Sequence, residues 1–306
     1  MSSREPVILG IDTSNYTTSA ARLEGREIFQ SKKLLPVKPG QLGLRQSDAV
    51  FHHVQQLPDR LEEVLQGAPS VRAIGVSDRP RAQEGSYMPC FTVGVGTARA
   101  LSAATGAALY RFSHQAGHIA AALYSAQKLD LLEQRFLAFH VSGGTTEAVL
   151  VTPDKDEILH AEIVASSLDL KGGQAVDRAG VLLGLPFPAG PELEKLALCW
   201  ESPIKVRPVM KGCNCSLSGI ENHCKKLFDT GHPKEEIARY CLEAVRAALE
   251  GMCTALLAEY GNLPVLFAGG VMSNSIIKKA LTEAFGAYFA EPVFSADNAA
   301  GAAVLA

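Results

Sequence analysis

The stretch FHVSGGTTEAVLV, residues 139–151, decides the fold, because the chain carries its counterpart, IDTSNYTTSAARL, at residues 11–23. Each is an apolar run, then Ser-x-x-Thr-Thr, then a second apolar run, and Ser14 and Ser142 stand 128 positions apart. The likeness extends outward from the loops. PVILGID reads as a buried strand before the first loop, and TSAARLEG and REIFQSKKLLPV as two strands joined at Gly25. FLAFHVS, TEAVLVTPD and DEILHAEIVAS repeat that order of strand, polar loop, strand, turn, strand. The spacing is too long for a solenoid repeat. It predicts a duplicated domain.

Helical spacing fills the intervals. AVFHHVQQLPDRLEEVLQG predicts a helix broken or kinked at Pro58, and FTVGVGTARALSAATG a helix with a glycine stop. HQAGHIAAALYSAQ, GQAVDRAGVLLGL and KEEIARYCLEAVRAALEGMCTALLAEYG also read as helices. PVLFAGGV reads as a strand entering a turn, with a helix from about Ser273. AEPVFSADNAAGAAVLA reads as a short strand, a loop and a closing helix. Alternating strands and helices give an α/β class. The expected boundary lies in SAQKLDLLEQR, giving domains 1–128 and 129–306, with the last helix packing back on the first.

A chain of 306 residues suits two domains of ordinary size. Its 47% hydrophobic and 20% charged residues exclude a disordered chain. A net charge of −3 excludes a strong overall pull toward nucleic acid or anionic membrane, leaving RNA to a local patch or a partner. The opening MSSREPVILGID predicts no signal peptide, and no run reaches membrane-spanning length, so a cytoplasmic protein is expected. The cysteines are odd in number. Cys213, Cys215 and Cys224 cluster in sequence without a fourth metal ligand at persuasive spacing, and so read as reduced thiols.

The loops themselves suggest ligand chemistry. A strand that ends in small polar residues and turns at once exposes backbone N–H groups, which suit phosphate oxygens. Ser142-Gly143-Gly144 admits a close ligand, and Ala268-Gly269-Gly270 and Asp297-Asn298 offer further turns after strands. Two facing domains with such loops would form a nucleotide cleft. His114 and His118, four apart, share one helix face within reach of one ion. An isolated H-x-x-x-H is more often a pair of packing histidines. It also lacks the glutamate next to the first histidine that a zinc peptidase of the H-E-x-x-H type needs.

In order and type these motifs resemble the actin, sugar-kinase and Hsp70 ATPase superfamily, and more closely the tRNA threonylcarbamoyladenosine transferase family (TsaD). LGIDTS, HQAGH, VSGGTTE, GGQAVDRAGVLLGLPFPAGPELEKLA, SLSGIEN, AGGVMSNS and SADNAAG each resemble a family segment, nearly end to end. The resemblance implies duplicated ribonuclease-H-like domains with a nucleotide cleft between them. It implies one divalent ion, iron or zinc, on His114, His118 and Asp297, a set of two imidazoles and a carboxylate that suits such ions. It further implies an adenine nucleotide (ATP, ADP or an acyl-adenylate) against His140, Val141, Ser142, Gly143, Gly144, Asp177, Gly190, Glu194 and Asn274, with the two carboxylates on the ribose hydroxyls. The implied reaction passes threonylcarbamoyl from an adenylate to a tRNA adenosine beside the anticodon. The implied partners are tRNA, reached through other proteins, and a paralogous subunit.

The chain departs from the family at specific places. Tyr16 and Thr17 stand where the family has an Asp-Glu pair, Gln174 replaces a glutamate, Thr145 a histidine, and Glu221 a basic residue. The loop SDRPRAQEGSYMP is unlike the family's glycine-rich segment. Tyrosine and threonine cannot do a carboxylate's proton chemistry near neutral pH. The pattern predicts a paralog with retained nucleotide and metal positions and an altered task. It leaves two rival readings, carbamoyl transfer to a non-tRNA acceptor and a non-catalytic nucleotide-binding scaffold.

Overall fold

The computed structural model describes residues 5–14, 16–37 and 44–306. The reading of the opening residues 1–4, and Asn15 of the first loop, lie outside the described residues. The chain divides into two compact units. The first takes Met1–Leu132, Pro153–Ala161 and Val293–Ala306, the second Glu133–Thr152 and Glu162–Pro292.

The first unit contains β1 (Val7–Asp12), β2 (Thr17–Glu24), β3 (Glu27–Leu34), α1 (Gln46–Leu65), β4 (Val71–Arg79), α2 (Phe91–Thr105), β5 (Ala108–Ser113) and α3 (His114–Ser125). Its sheet runs β3-β2-β1-β4-β5. β1 is antiparallel to β2 and parallel to β4, and β4 is parallel to β5. Every residue of VILGID is buried, as a central strand covered on both faces requires. Leu9 and Ile11 of β1 pack with Ile74 and Val76 of β4 and with Leu57 of α1. Pro58 neither ends nor interrupts α1. Leu57 and Val64, on either side of it, are buried to 1% and 3% exposure, and that packing outweighs the one backbone bond proline forfeits.

The second unit contains β6 (Phe136–Val141), β7 (Thr146–Asp154), β8 (Ile158–Ser166), α4 (Gly172–Leu182), α5 (Gly190–Leu198), β9 (Val209–Lys211), β10 (Asn214–Ser216), α6 (Ser218–Asp229), α7 (Lys234–Tyr260), β11 (Val265–Ala268), α8 (Ser275–Phe285) and β12 (Tyr288–Phe289). Its sheet runs β12-β11-β6-β7-β8. β6 is antiparallel to β7 and parallel to β11, and β11 is parallel to β12. Strand for strand this is the first sheet again, with β6 in the place of β1 and β11 in the place of β4. Phe139, Phe267 and Phe289 are register partners on three neighbouring strands, and their rings stack with centroids 4.7 and 5.3 Å apart. Cys241, Leu242, Val245, Leu249 and Met252 of α7 bury against this core. The fold is the expected α/β architecture of duplicated ribonuclease-H-like domains.

α9 (Ala300–Leu305) closes the first unit. It lies so near the sheet that a Cβ on Gly75 of β4 would fall 1.9 Å from the carbonyl oxygen of Ala302. One local expectation is corrected and one made finer. EPVF forms a 3-10 turn at Pro292–Phe294 instead of a strand, since Pro292 has no N–H to give a ladder, and the short strand is Tyr288–Phe289. The helix expected from about Ser273 begins at Ser275, because Gly270–Ser273 makes a 3-10 turn and Asn274 is the N-cap of α8.

Candidate functional site

The sequence brings three ligand atoms together in the first unit. Ser113 caps α3 by accepting the N–H of Ala116 at 3.2 Å, which starts the helix at His114. One turn on, His118 points the same way. The His114 and His118 Nε2 atoms are 2.9 Å apart, and Asp297 Oδ1, just before α9, lies 3.4 and 3.1 Å from them. Ligands at about 2.1 Å from one ion stand about 3.0 Å apart when octahedral and cis, and about 3.4 Å when tetrahedral. The three atoms therefore fit one face of such a shell. Among the described residues this is the one group of histidine, cysteine and carboxylate side chains close enough to hold an ion.

Without an ion the cluster is an electrostatic sandwich. Burial disfavours a charge on His114, but the charge and hydrogen bond of Asp12, joined by Asp297, win and raise its pKa to about 10. Burial works against the Asp297 charge in turn, and the two histidines outweigh it and hold its pKa far below the usual carboxylate range. A divalent cation would take the place of that bound proton. Asp12, which the sequence reading passed over, is buried to 1% exposure with Oδ2 2.8 Å from His114 Nδ1. The signal was present, a carboxylate ending an otherwise apolar strand.

In the second unit, Ser142, Gly143, Asp177, Gly190, Glu194 and Asn274 line one cavity of about 360 Å³, within the size range of small-molecule sites. Gly173, Val176, Pro188 and Leu242 add its apolar wall. His140, Val141 and Gly144 do not line it. His140 and Val141 belong to β6, where Val141 is wholly buried. Gly144 gives its N–H to Ser142 Oγ at 3.3 Å, as Thr145 does at 3.1 Å, so the turn is closed on its own serine. The polar walls are held from behind. Asp177 Oδ1 accepts the N–H of Ala189 at 2.9 Å, and Glu194 Oε1 accepts the N–H of Ser275 at 2.8 Å and its hydroxyl. Asn274 Oδ1 accepts the N–H of Ile277 at 3.1 Å as the cap of α8.

The substituted positions have ordinary local roles. Thr17 is 5% exposed and opposite Leu34 in the β2–β3 ladder. Gln174 accepts the N–H of Lys171 at the start of α4, and Glu221 forms an exposed ion pair with Arg178 at 2.6 Å. The cysteines are free thiols. Cys213 bonds Glu259 at 3.3 Å while Cys215 and Cys224 are buried, and the three form no metal group among the described residues. No described helix is long and apolar enough to cross a membrane.

The chain is similar to known proteins. A tRNA N6-adenosine threonylcarbamoyltransferase of Halalkalibacterium halodurans is 30% identical over 96% of this chain and 85% of its own length. A protein of the same description from Methanopyrus kandleri is 26% identical over 90% of this chain and 79% of its own. Component A of the (R)-2-hydroxyglutaryl-CoA dehydratase of Acidaminococcus fermentans shares the fold, with a TM-score of 0.56 at 17% identity over 99% of this chain and 98% of that one. The sequence profile of one family, described as TsaD: tRNA N6-adenosine threonylcarbamoyltransferase, matches residues 28–304, and the chain belongs to that family.

Proposed function

We propose that the protein is a metal- and adenine-nucleotide-binding transferase that passes threonylcarbamoyl, or a related carbamoyl group, from an adenylate to an acceptor, with tRNA adenosine the acceptor its family membership favours. What carries this reading is the convergence of His114, His118 and Asp297 in a chain that matches the family over residues 28–304. Those residues would hold one iron or zinc ion. When bound, the ion would supply a fixed positive charge at that cluster. The Ser142–Gly143 turn would face the phosphates, and Asp177 and Glu194 would offer the ribose hydroxyls the oxygen each leaves outside its helix-start bonds. Gly190 and Asn274 would bound the nucleoside. The protein would act in the cytoplasm, reach tRNA with partner proteins and pair with a paralogous subunit.

Tyr16 and Thr17 at the place of the family's acid pair favour a second reading, a paralog that binds nucleotide without transfer to tRNA. The test is incubation with threonylcarbamoyl-adenylate, tRNA and the family's usual partner proteins, then mass spectrometry of the nucleosides. The expected rate is below that of a relative with the acid pair by about 10²–10⁴-fold, the usual loss with a general base. Nucleotide binding with no modified adenosine selects the second reading. Turnover equal to that relative's overturns the significance given to Tyr16 and Thr17.

A further inference from the structure

Asp12 ends β1 with both carboxylate oxygens engaged. Oδ2 lies 2.8 Å from His114 Nδ1, and Oδ1 accepts the N–H of Ser14 at 2.9 Å. A carboxylate only accepts hydrogen bonds, so the hydrogen between Asp12 and His114 sits on Nδ1. A neutral imidazole protonated there keeps its lone pair on Nε2, and Nε2 is the atom that faces His118 and Asp297 at 2.9 and 3.4 Å. The same carboxylate anchors Ser14, whose carbonyl accepts the N–H of Thr17 at 3.0 Å.

From this geometry we propose that Asp12 is a positioning residue of the metal centre: by accepting the Nδ1–H of His114 it fixes the ring and the tautomer that leaves Nε2 to the ion, and through its other oxygen it ties the first loop to that centre. The proposal rests on the metal reading given above. Carboxylates that orient a ligating histidine in this way raise metal affinity without touching the ion. Position distinguishes Asp12 from an ordinary buried partner. A carboxylate whose one task is structural has no need to meet the ring at the nitrogen opposite the ligand atom.

Asp12→Asn, nearly identical in shape, separates the two roles. If the new amide turns its NH₂ toward His114, the ring proton moves to Nε2 and blocks the ion. If it turns its oxygen there, its NH₂ faces the N–H of Ser14. Zn²⁺ affinity is read by competition with a chromophoric chelator, alongside circular dichroism and melting of the metal-free variant. The expected result is a folded variant with Zn²⁺ binding weakened about 10–100-fold. A folded variant that binds Zn²⁺ as the parent does overturns the Asp12 role and leaves the metal reading standing. A parent protein that binds no Zn²⁺ overturns both. Should the variant fail to fold, ¹H–¹⁵N spectra of the Zn²⁺-loaded parent decide. A slowly exchanging His114 Nδ1–H supports the proposal, and a proton on Nε2 overturns it.

Discussion

His53 lies buried on α1 with Nδ1 2.8 Å from Thr18 Oγ1. Burial lowers its pKa from 6.5 to about 4, helped by His52 and only partly opposed by Asp12. Between those values the unfolded chain holds a proton that the folded one does not. Stability therefore rises with pH across that window and is lost as pH falls through it. The expected share of His53 is about 2–3 kcal/mol between pH 7 and 4.5. His53→Gln should remove it, as read by denaturant unfolding at the two values, and a variant with the parent's full acid sensitivity would refute the assignment. Asp177 and Glu194 call for a similarly mild change, because each commits one oxygen to a helix start. Asp177→Asn and Glu194→Gln preserve that acceptor and remove the charge. Each should weaken adenine-nucleotide binding by about 1–3 kcal/mol in calorimetry with little change in melting. Affinity equal to the parent's would place the ribose elsewhere. The letters of these residues are legible in the sequence. Their second bonds are not, since Glu194 and Ser275, or Asp12 and His114, meet only once the strands have paired.

Two glycines on neighbouring elements, Gly117 of α3 and Gly301 of α9, look equivalent in sequence and are not equivalent in space. A Cβ on Gly301 would fall 1.7 Å from the carbonyl oxygen of Gly117, whereas a Cβ on Gly117 would meet nothing nearer than 3.8 Å. Gly117→Ala should therefore be neutral or gain up to about 1 kcal/mol from helix propensity. Gly301→Ala must push α9 off α3, cost more than about 3 kcal/mol and carry Asp297 away from the histidines. Thermal melting and Zn²⁺ titration of the two variants provide the check, and a stable, zinc-binding Gly301→Ala protein would contradict it. The same element shows what the sequence reading could and could not see. Buried strands announce themselves by continuous apolar runs, so β1, β6 and the middle of β7 were legible, and β2 by its place after the matching loop. α5 opens on Gly190-Pro191 and α6 on Ser218-Gly219, pairs that read as turns, and each helix buries two residues, Leu193 and Ala197, and Ile220 and Cys224. At α9 the run of alanines announced a helix, while the contact that makes Gly301 necessary comes from residues far away in sequence.

Across the whole molecule the two sheets repeat one strand order and one pattern of directions, which the paired Ser-x-x-Thr-Thr loops made legible from two short quotations. The division of the chain was less legible, because residues 153–161 and 293–306 count with the first unit although they interrupt or come after the second. Removing residues 293–306 should expose the faces of β1 and β4 that α9 covers. The expected outcome is loss of cooperative melting in the first unit, monitored by amide hydrogen exchange in residues 7–12 and 71–79, together with loss of Zn²⁺ binding. Parent-like protection in those strands would show that the sheet stands without its last helix. The placement of α9 also sets a clock for synthesis. His114 and His118 leave the ribosome long before Asp297, and the segment that seats Asp297 against β1, β4 and α3 emerges after every strand of the second sheet. A nascent chain can fold that second sheet while its first unit still lacks a wall, so an ion that needs Asp297 would be captured only by a chain translated at least as far as that residue.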